Sequence, residues 1–455
     1  MSSSMRVLLI QPPFEDFYAT PIRLYPLGLL YAARVLEDAG AAVEILDCLA
    51  PLKKRRIPVP ASFSYLPPLG EIPHFFKGYY RFGIGDDEIL RRIQAFGPDL
   101  IGISSQCTAY YKSVEDLVRL IKRKFAAPVL IGGNHATVFA SEIKRRTPEI
   151  DYVLPGPAED CLPEFLNSFG KGNAGEKIDW RKIEPSHHLL KGGDYRIGRK
   201  NSISLTSSRG CPWGCEFCSV HRMFGSKISY RSIDSVLTEM RRNCDKKGTR
   251  VFNFEDDNLS FDRSLFLEFL KVAAAEPGLK GIELTAMNGL CYPTLDEEVL
   301  VAMKRAGFRE LNLSLVSRDP VLRETLRRPY LIDSLDSFNK LIRAAQKLSF
   351  FITVSIIIGL PGQTFAEVKE SIDDLLGLGV LVGPSVFYLS PGSSLYEKME
   401  LAAAIKNDWN LYRSSAFAIE TGALSRGVLF TLFSYVREKN LENRRLRRAL
   451  RTGSG

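Results

Sequence analysis

No stretch of this 455-residue chain is long and apolar enough to cross a bilayer. The most apolar run, Phe351 to Leu360 (FITVSIIIGL), is β-branched and stops at Pro361, which marks a buried strand. The N-terminus, MSSSMRVLLIQPP, lacks the apolar h-region of a secretory signal and runs straight into a strand, so a cytoplasmic location is the default expectation. Cysteine is sparse. Eight in the whole chain are too few for a secreted disulfide scaffold. Repeats of solenoid length are absent. The net charge of +9 is modest for this length, and much of it sits in the final REKNLENRRLRRALRTGSG. That tail has no interleaved aromatics and no RNA-binding signature, which argues against nucleic acid. It reads as a solvated helix end; contact with an anionic substrate or a membrane surface is the alternative.

What is present is a repeated alternation of strand and helix. The length calls for about two or three domains. In the first third, RVLLIQPP, AAVEILD, PDLIGISS, PVLIGGNHAT and DYVLPG read as strands separated by helical patterns. Leu29, Ala33 and Leu36 share one helical face, and Gly40 ends that helix. The predicted fold class is α/β, opening with a doubly wound parallel sheet of about five strands over residues 1–165. Ligands of such sheets bind at the carboxyl ends of the strands, here Pro12–Pro13, Ser104–Thr108, Gly132–Thr137 and Gly156. Residues 50–80, rich in proline and aromatics, read as an inserted loop, and residues 166–200 as a polar linker. A second series follows over 201–400: SISLT, RVFNF, GIELTA, ELNLSLV, FITVSIII and PSVFYLS, with helical stretches between them. Six such units in about 200 residues suggest a partial TIM-like (β/α)6 barrel, whose chemistry belongs on the loops after the strands. Residues 401–455 read as a helical C-terminal cap or tail.

The segment SSRGCPWGCEFCSV lies on the loop after the first strand of that second series. Cys211, Cys215 and Cys218 can ligate three irons of a cubane cluster. The next cysteine, Cys244, lies on the following helix, so the fourth iron is left open for substrate or cofactor atoms. Two bland readings stand beside this one. Zinc could be held by the three cysteines and His221, although the last Cys-x2-His spacing is short. Alternatively, the three are simply reduced thiols.

Cys-x3-Cys-x2-Cys, with aromatic Phe217 before its last cysteine, resembles the radical S-adenosylmethionine (SAM) superfamily. The flank SRGCPWGCEFC is preceded by a doubly wound region carrying PPFEDFYATPIRLYPLGLLYAARVLEDAG and IGGNHAT. Together they are similar to the branch with an N-terminal cobalamin-binding, Rossmann-like domain. The resemblance covers about residues 5–400. It implies three cofactors: a [4Fe-4S] cluster, SAM and cobalamin. It further implies that SAM chelates the open iron and is reductively cleaved to a 5′-deoxyadenosyl radical.

The same resemblance assigns roles. Phe217 would border SAM, Glu255 and Asp256 would meet its amino group, and Asp257 and Asn258 would cap a turn. Ser314 remains as a polar contact on the fourth strand, where Val316 stands in place of the family's acid. Arg327 or Arg328 would meet the SAM carboxylate, and Gly359 and Leu360 would pass the adenine. Ser104, Ser105, Thr108, Gly132, Gly133, His135, Thr137 and Gly156 would approach the corrin and its tail. The Asp-x-His-x-x-Gly motif is absent, so no lower histidine is expected, and His135 can equally be a hydrogen-bonding turn residue.

The implied activity is methylation of an unactivated carbon. The alternatives are cyclisation, oxidation or carbon–carbon coupling by the same radical, and, from a different class, a zinc-stabilised nucleic-acid-binding protein. A methylthiotransferase would carry further cluster cysteines, but Cys107 and Cys161 do not fall at that family's positions. The expected partners are a small-molecule or peptide substrate and a flavodoxin- or ferredoxin-type electron donor. Specificity is expected in the 50–80 loop, the barrel rim and residues 401–455. There Phe75, Phe76, Tyr79 and Tyr80 either face the cavity or simply pack.

Overall fold

The computed structural model describes residues 4–20, 25–169, 177–191, 194–327 and 335–452. Its N-terminal sheet is all parallel. Strands β1 (Arg6–Gln11), β2 (Ala42–Asp47), β3 (Leu100–Ser104), β4 (Val129–Gly132) and β5 (Tyr152–Leu154) run in the order β2-β1-β3-β4-β5. The chain steps from β1 to β2 on one side and then to β3 on the other, which makes the β1/β3 edge the switch point. Successive side chains of β1 point to opposite faces, and both faces are covered. Val7 and Leu9 pack with Leu29 and Val35 of the helix Leu27–Asp38. Leu8 and Ile10 pack with Ile89, Ile93, Val114 and Val118 from the helices Asp86–Phe96 and Tyr111–Lys122.

The second sheet is a barrel in two arcs. Strands β6 (Lys200–Leu205), β7 (Val251–Phe254) and β8 (Glu283–Thr285) pair in parallel. So do β9 (Glu310–Leu315), β10 (Phe351–Ile358) and β11 (Leu381–Val386). Only one isolated bridge, Leu284 with Phe308, joins the arcs among the described residues. The barrel's open edges are satisfied by other parts of the chain. The strand Arg196–Ile197 pairs antiparallel with β6. On the other side, Asn440 accepts from Val382 N at 3.1 Å and donates to Val382 O at 2.7 Å.

Three regions expected as loop, linker or tail are packed into the fold. Phe14–Asp16, Tyr79–Phe82 and Lys54–Ile57 form a small antiparallel sheet. Phe75, Phe76 and Tyr79 are buried, and Phe75 and Phe76 pack tilted or edge-on against Phe417 and Phe433. Of the two readings of the loop aromatics, packing describes these three. The C-terminal helix Arg426–Thr452 inserts Leu429, Leu432, Phe433 and Val436 into the barrel's apolar cluster. Within 166–200, Ser186 and His187 are buried. Ser186 N donates to Leu30 O at 3.1 Å, and His187 Nε2 meets Glu239 at 2.9 Å, so this segment straps the N-terminal region to the barrel. No described helix is long and apolar enough to cross a membrane.

Candidate active site

The cysteine segment begins at a clamped base. Ser208–Arg209 pairs antiparallel with Ser229–Tyr230, which closes the intervening residues into one loop at the carboxyl end of β6. Asp256, just after β7, is buried beneath this base. Its carboxylate accepts from the backbone N–H and hydroxyl groups of Ser207 and Ser208, with both hydroxyls at 2.6 Å. Burial pushes this carboxyl up, against the pull of those hydrogen bonds. Asp257 Oδ2 accepts from Gly210 N at 2.9 Å. Buried Arg231 donates to Thr206 O at 3.2 Å and pairs with Glu239. Gly210 has φ 91°, and a Cβ there would stand 2.4 Å from Lys227 O, so closing the loop requires glycine.

Cys211, Cys215 and Cys218 follow, ahead of the helix Val220–Phe224. All three are free of disulfides; Cys215 is buried and the others half-buried. Asn258 Nδ2 lies 3.8 Å from Cys211 Sγ, and burial pushes that thiol up. Glu216 is buried between the cysteines. It takes Arg327 Nε at 2.9 Å and Lys398 Nζ at 2.7 Å, while its backbone bonds to Leu326 O and Leu395 N. Ser219 and Ser390 hydroxyls meet at 2.7 Å. The loop is thus tied to the rims that follow β9 and β11. Cys244 sits in the apolar core instead. Among the described residues no three His, Cys, Asp or Glu side chains converge on a single ion. A cluster, in which each thiolate takes its own iron, does not require that convergence. Three thiols on one loop, with the next cysteine buried elsewhere, fit an open cubane as a donor set.

Inside the barrel, strand alternation divides apolar from polar. On β9 and β10, Leu311, Leu313, Ile352, Val354 and Ile356 face the helices and are buried in the apolar cluster. The residues between them, Asn312, Ser314, Thr353 and Ser355, face the lumen as registered pairs, Asn312 with Thr353 and Ser314 with Ser355. Across the lumen, Ser204, Asn253 and Thr285 also share one register row. Glu255 stands at the mouth. Its carboxylate accepts from Asn253 Nδ2 at 2.6 Å, Ser204 Oγ at 3.1 Å and Asn288 Nδ2 at 3.1 Å. Thr285 Oγ1 and Asn288 Oδ1 are buried with no hydrogen-bond partner among the described residues. Polar atoms left so are a demand for a ligand or water.

The expected SAM residues therefore separate. Glu255 and Ser314 line the barrel interior, and Phe217 rides on the cysteine loop, partly buried against the neighbouring apolar cluster. Asp256 is committed to Ser207 and Ser208 rather than facing a ligand. Asp257 and Asn258, expected as turn caps, reach Gly210 and Cys211. Arg327, at φ 52°, pairs with Glu216; Arg328 lies outside the described residues. Gly359 N and Leu360 N both donate to Gln363 Oε1, at 2.8 and 2.9 Å. Leu360 is fully buried, and a Cβ on Gly359 would meet Leu429 of the C-terminal helix, so this turn faces packing.

The expected cobalamin residues do gather at the carboxyl edge of the N-terminal sheet. Ser105 N donates to Gly132 O at 2.8 Å, and Ser105 O accepts from His135 N at 3.1 Å. Thr137 Oγ1 donates to Gly133 O and accepts from Gly156 N, both at 2.9 Å. Gly133 has φ 114°, and a Cβ there would strike Ser105 O at 2.7 Å. His135 Nδ1 meets Thr108 Oγ1 at 3.0 Å, and its ring is enclosed by Tyr111, Phe139 and Trp409. Burial lowers its pKa to about 3, so it is a neutral, packed histidine. Among the described residues Ser105 Oγ is buried without a partner, and Gly132 and Gly156 leave the strand ends uncrowded. This edge fits a bulky cofactor. It faces the cysteine loop across a cavity of about 90 Å³ lined by Asn134, Thr137, Met223 and Asp257, among others. Sequence reasoning missed the contacts that bind the two regions: Arg209 with Glu159, and His187 with Glu239. The arginine beside the motif was visible, but its partner lies fifty residues upstream.

Residues 205–375 match the radical SAM superfamily, and residues 76–166 match the B12 binding domain. The cytidylyl-2-hydroxyethylphosphonate methyltransferase of Streptomyces wedmorensis is 27% identical over 90% of this chain and 84% of its own length. The bacteriochlorophyllide d C-12(1)-methyltransferase of Chlorobaculum tepidum is 25% identical over 64% of each chain. Among solved structures, the radical SAM methyltransferase TsrM of Kitasatospora setae, with cobalamin and a [4Fe-4S] cluster bound, superposes with a TM-score of 0.62 at 18% identity. That match covers 86% of this chain and 74% of TsrM. The chain carries a radical SAM domain with a B12-binding domain ahead of it. It is an enzyme, with a [4Fe-4S] cluster, SAM and cobalamin as cofactors.

Proposed function

We propose that this enzyme methylates an unactivated carbon of a small-molecule or peptide substrate. The observation that carries the reading is the shared space: the cobalamin edge and the cluster loop line one cavity, and Thr137 Oγ1 lies 3.6 Å from Met223 Sδ across it. When bound, the cluster supplies the electron that cleaves SAM to a carbon radical, and cobalamin supplies the methyl carrier. The residues of this chain position those parts. Cys211, Cys215 and Cys218 hold the cluster, with the loop base fixed by Asp256 and Asp257. Glu255, oriented by Ser204, Asn253 and Asn288, offers an anionic acceptor for the SAM ammonium at the barrel mouth. Ser314 and Asn312 offer further polar contacts in the lumen. Ser105, Thr108 and Thr137, with Gly132, Gly133 and Gly156, form the bed for the corrin. The named methyltransferase relatives support this reading. A flavodoxin- or ferredoxin-type donor and a cytoplasmic location accord with a cluster that needs a low-potential electron.

The test uses anaerobically reconstituted holoprotein, methyl-labelled SAM and a low-potential reductant. Label recovered on the corrinoid is the expected result. A protein that keeps its cluster but retains no corrinoid after gel filtration overturns methylation and favours cyclisation, oxidation or coupling by the radical alone.

A further inference from the structure

Arg209 lies two residues before Cys211 and is buried, with 8% of its surface exposed. Its Nη2 donates to Glu159 Oε1 at 3.0 Å, and Glu159 is buried on the helix Ala158–Ser168 of the N-terminal region. The guanidinium also lies 4.3 Å from the ring centres of both Tyr31 and Trp180, and 5.1 Å from that of Phe224. Tyr31, Glu159 and Trp180 all precede the barrel, whereas Phe224 sits on the helix directly after the cysteines. Trp180 Nε1 donates to Ser229 Oγ at 3.2 Å, and Ser229 is the cross-strand neighbour of Arg209. Two contacts from the N-terminal side therefore grip both strands of the hairpin that closes the cluster loop.

A buried ion pair is poor value for stability alone, because apolar residues of the same size pack as well without the desolvation cost. What the planar, forked guanidinium adds is direction: it fixes angle as well as distance, which lysine cannot reproduce. We propose that Arg209, held by Glu159, is a positioning residue that sets the spacing between the corrin bed and the cluster loop. The inference rests on the assignment of both cofactors and does not depend on methylation. Registration on this scale matters because a site whose supporting contacts loosen by about 1 Å loses its geometry.

The experiment compares wild type with Glu159→Gln and Arg209→Lys, each loaded with cluster and cobalamin. The readout is the magnetic coupling between Co(II) and the reduced cluster in pulsed EPR, which falls steeply with their separation and needs no substrate. Iron content, corrinoid content and unfolding midpoint are measured on the same samples. The expected result is a weaker and more broadly distributed coupling in molecules that are folded and fully loaded. A merely structural contact would lower the loaded fraction but leave the coupling of the loaded molecules unchanged, and that outcome overturns the proposal. Glu159→Gln keeps the shape of the side chain, so it decides the matter if Arg209→Lys fails to fold. Failure of label transfer to the corrinoid, with coupling altered as expected, would sink methylation and leave this inference standing.

Discussion

The two parallel sheets of this protein solve different problems. In the N-terminal sheet, consecutive residues such as Leu8 and Leu9 are both buried, in separate clusters on opposite faces. In the barrel, consecutive residues such as Ser355 and Ile356 part company: one faces the lumen and the other packs under helices. A sheet covered on both faces keeps its ligand at its edge, whereas a barrel with a polar lumen can take one inside. The same βα repeat thus presents open strand ends in one half and a polar chamber in the other. The cysteine loop stands between them.

Substitutions can break this contrast. Leu8→Ala and Leu9→Ala should each cost about 2–5 kcal/mol by denaturant unfolding, as should Ile356→Ala. Ser355→Ala should stay within about 0.5 kcal/mol. Equal losses at Ser355 and Ile356 would mean that the lumen is packed like a core. Asp256→Asn at the junction should cost about 1–3 kcal/mol and lower the iron retained per chain, because an amide N–H₂ would face donors; full iron loading would contradict the clamp.

His135 offers a gentler probe. Its folded pKa of about 3 lies below the ordinary 6.5, so between those values the unfolded chain binds a proton that the folded form refuses. Stability should therefore rise with pH across that window and fall as the solution is acidified, by at most about 1.4 kcal/mol per pH unit. His135→Phe should flatten that limb, visible as unfolding midpoints measured from pH 6.5 down to 4; an unchanged slope would show that other groups set it. Smallest of all, Arg34→Ala removes a pair whose side chains are 40% and 41% exposed, and should shift stability by less than about 0.5 kcal/mol.

Much of this was legible in the sequence. Apolar runs between helical patterns announced both sheets, and the cysteine spacing announced the loop. The corrin bed proposed at Ser104–Thr108 and Gly132–Thr137 rests on the rule that ligands meet strand ends. Burial within loops was not legible: Phe75 and Phe76 find partners in Phe417 and Phe433, more than three hundred residues away, and Tyr79 packs on Phe17 and Phe63. Side-chain direction at strand ends was equally hidden. Asp256 and Asp257 are adjacent, yet Asp256 lies under Ser207 and Ser208 while Asp257 reaches Gly210. Gly359 suggested close approach to a ligand, but the group that approaches is Leu429 of a helix read as a tail.

The most direct measurement is of metal and corrinoid in protein reconstituted without oxygen, compared with Cys211→Ser, Cys215→Ser and Cys218→Ser combined. The wild type should hold about four irons and about one corrinoid per chain, and the triple variant should lose the iron while keeping the corrinoid. A wild type that takes up no iron, or a triple variant that keeps it, would contradict the account.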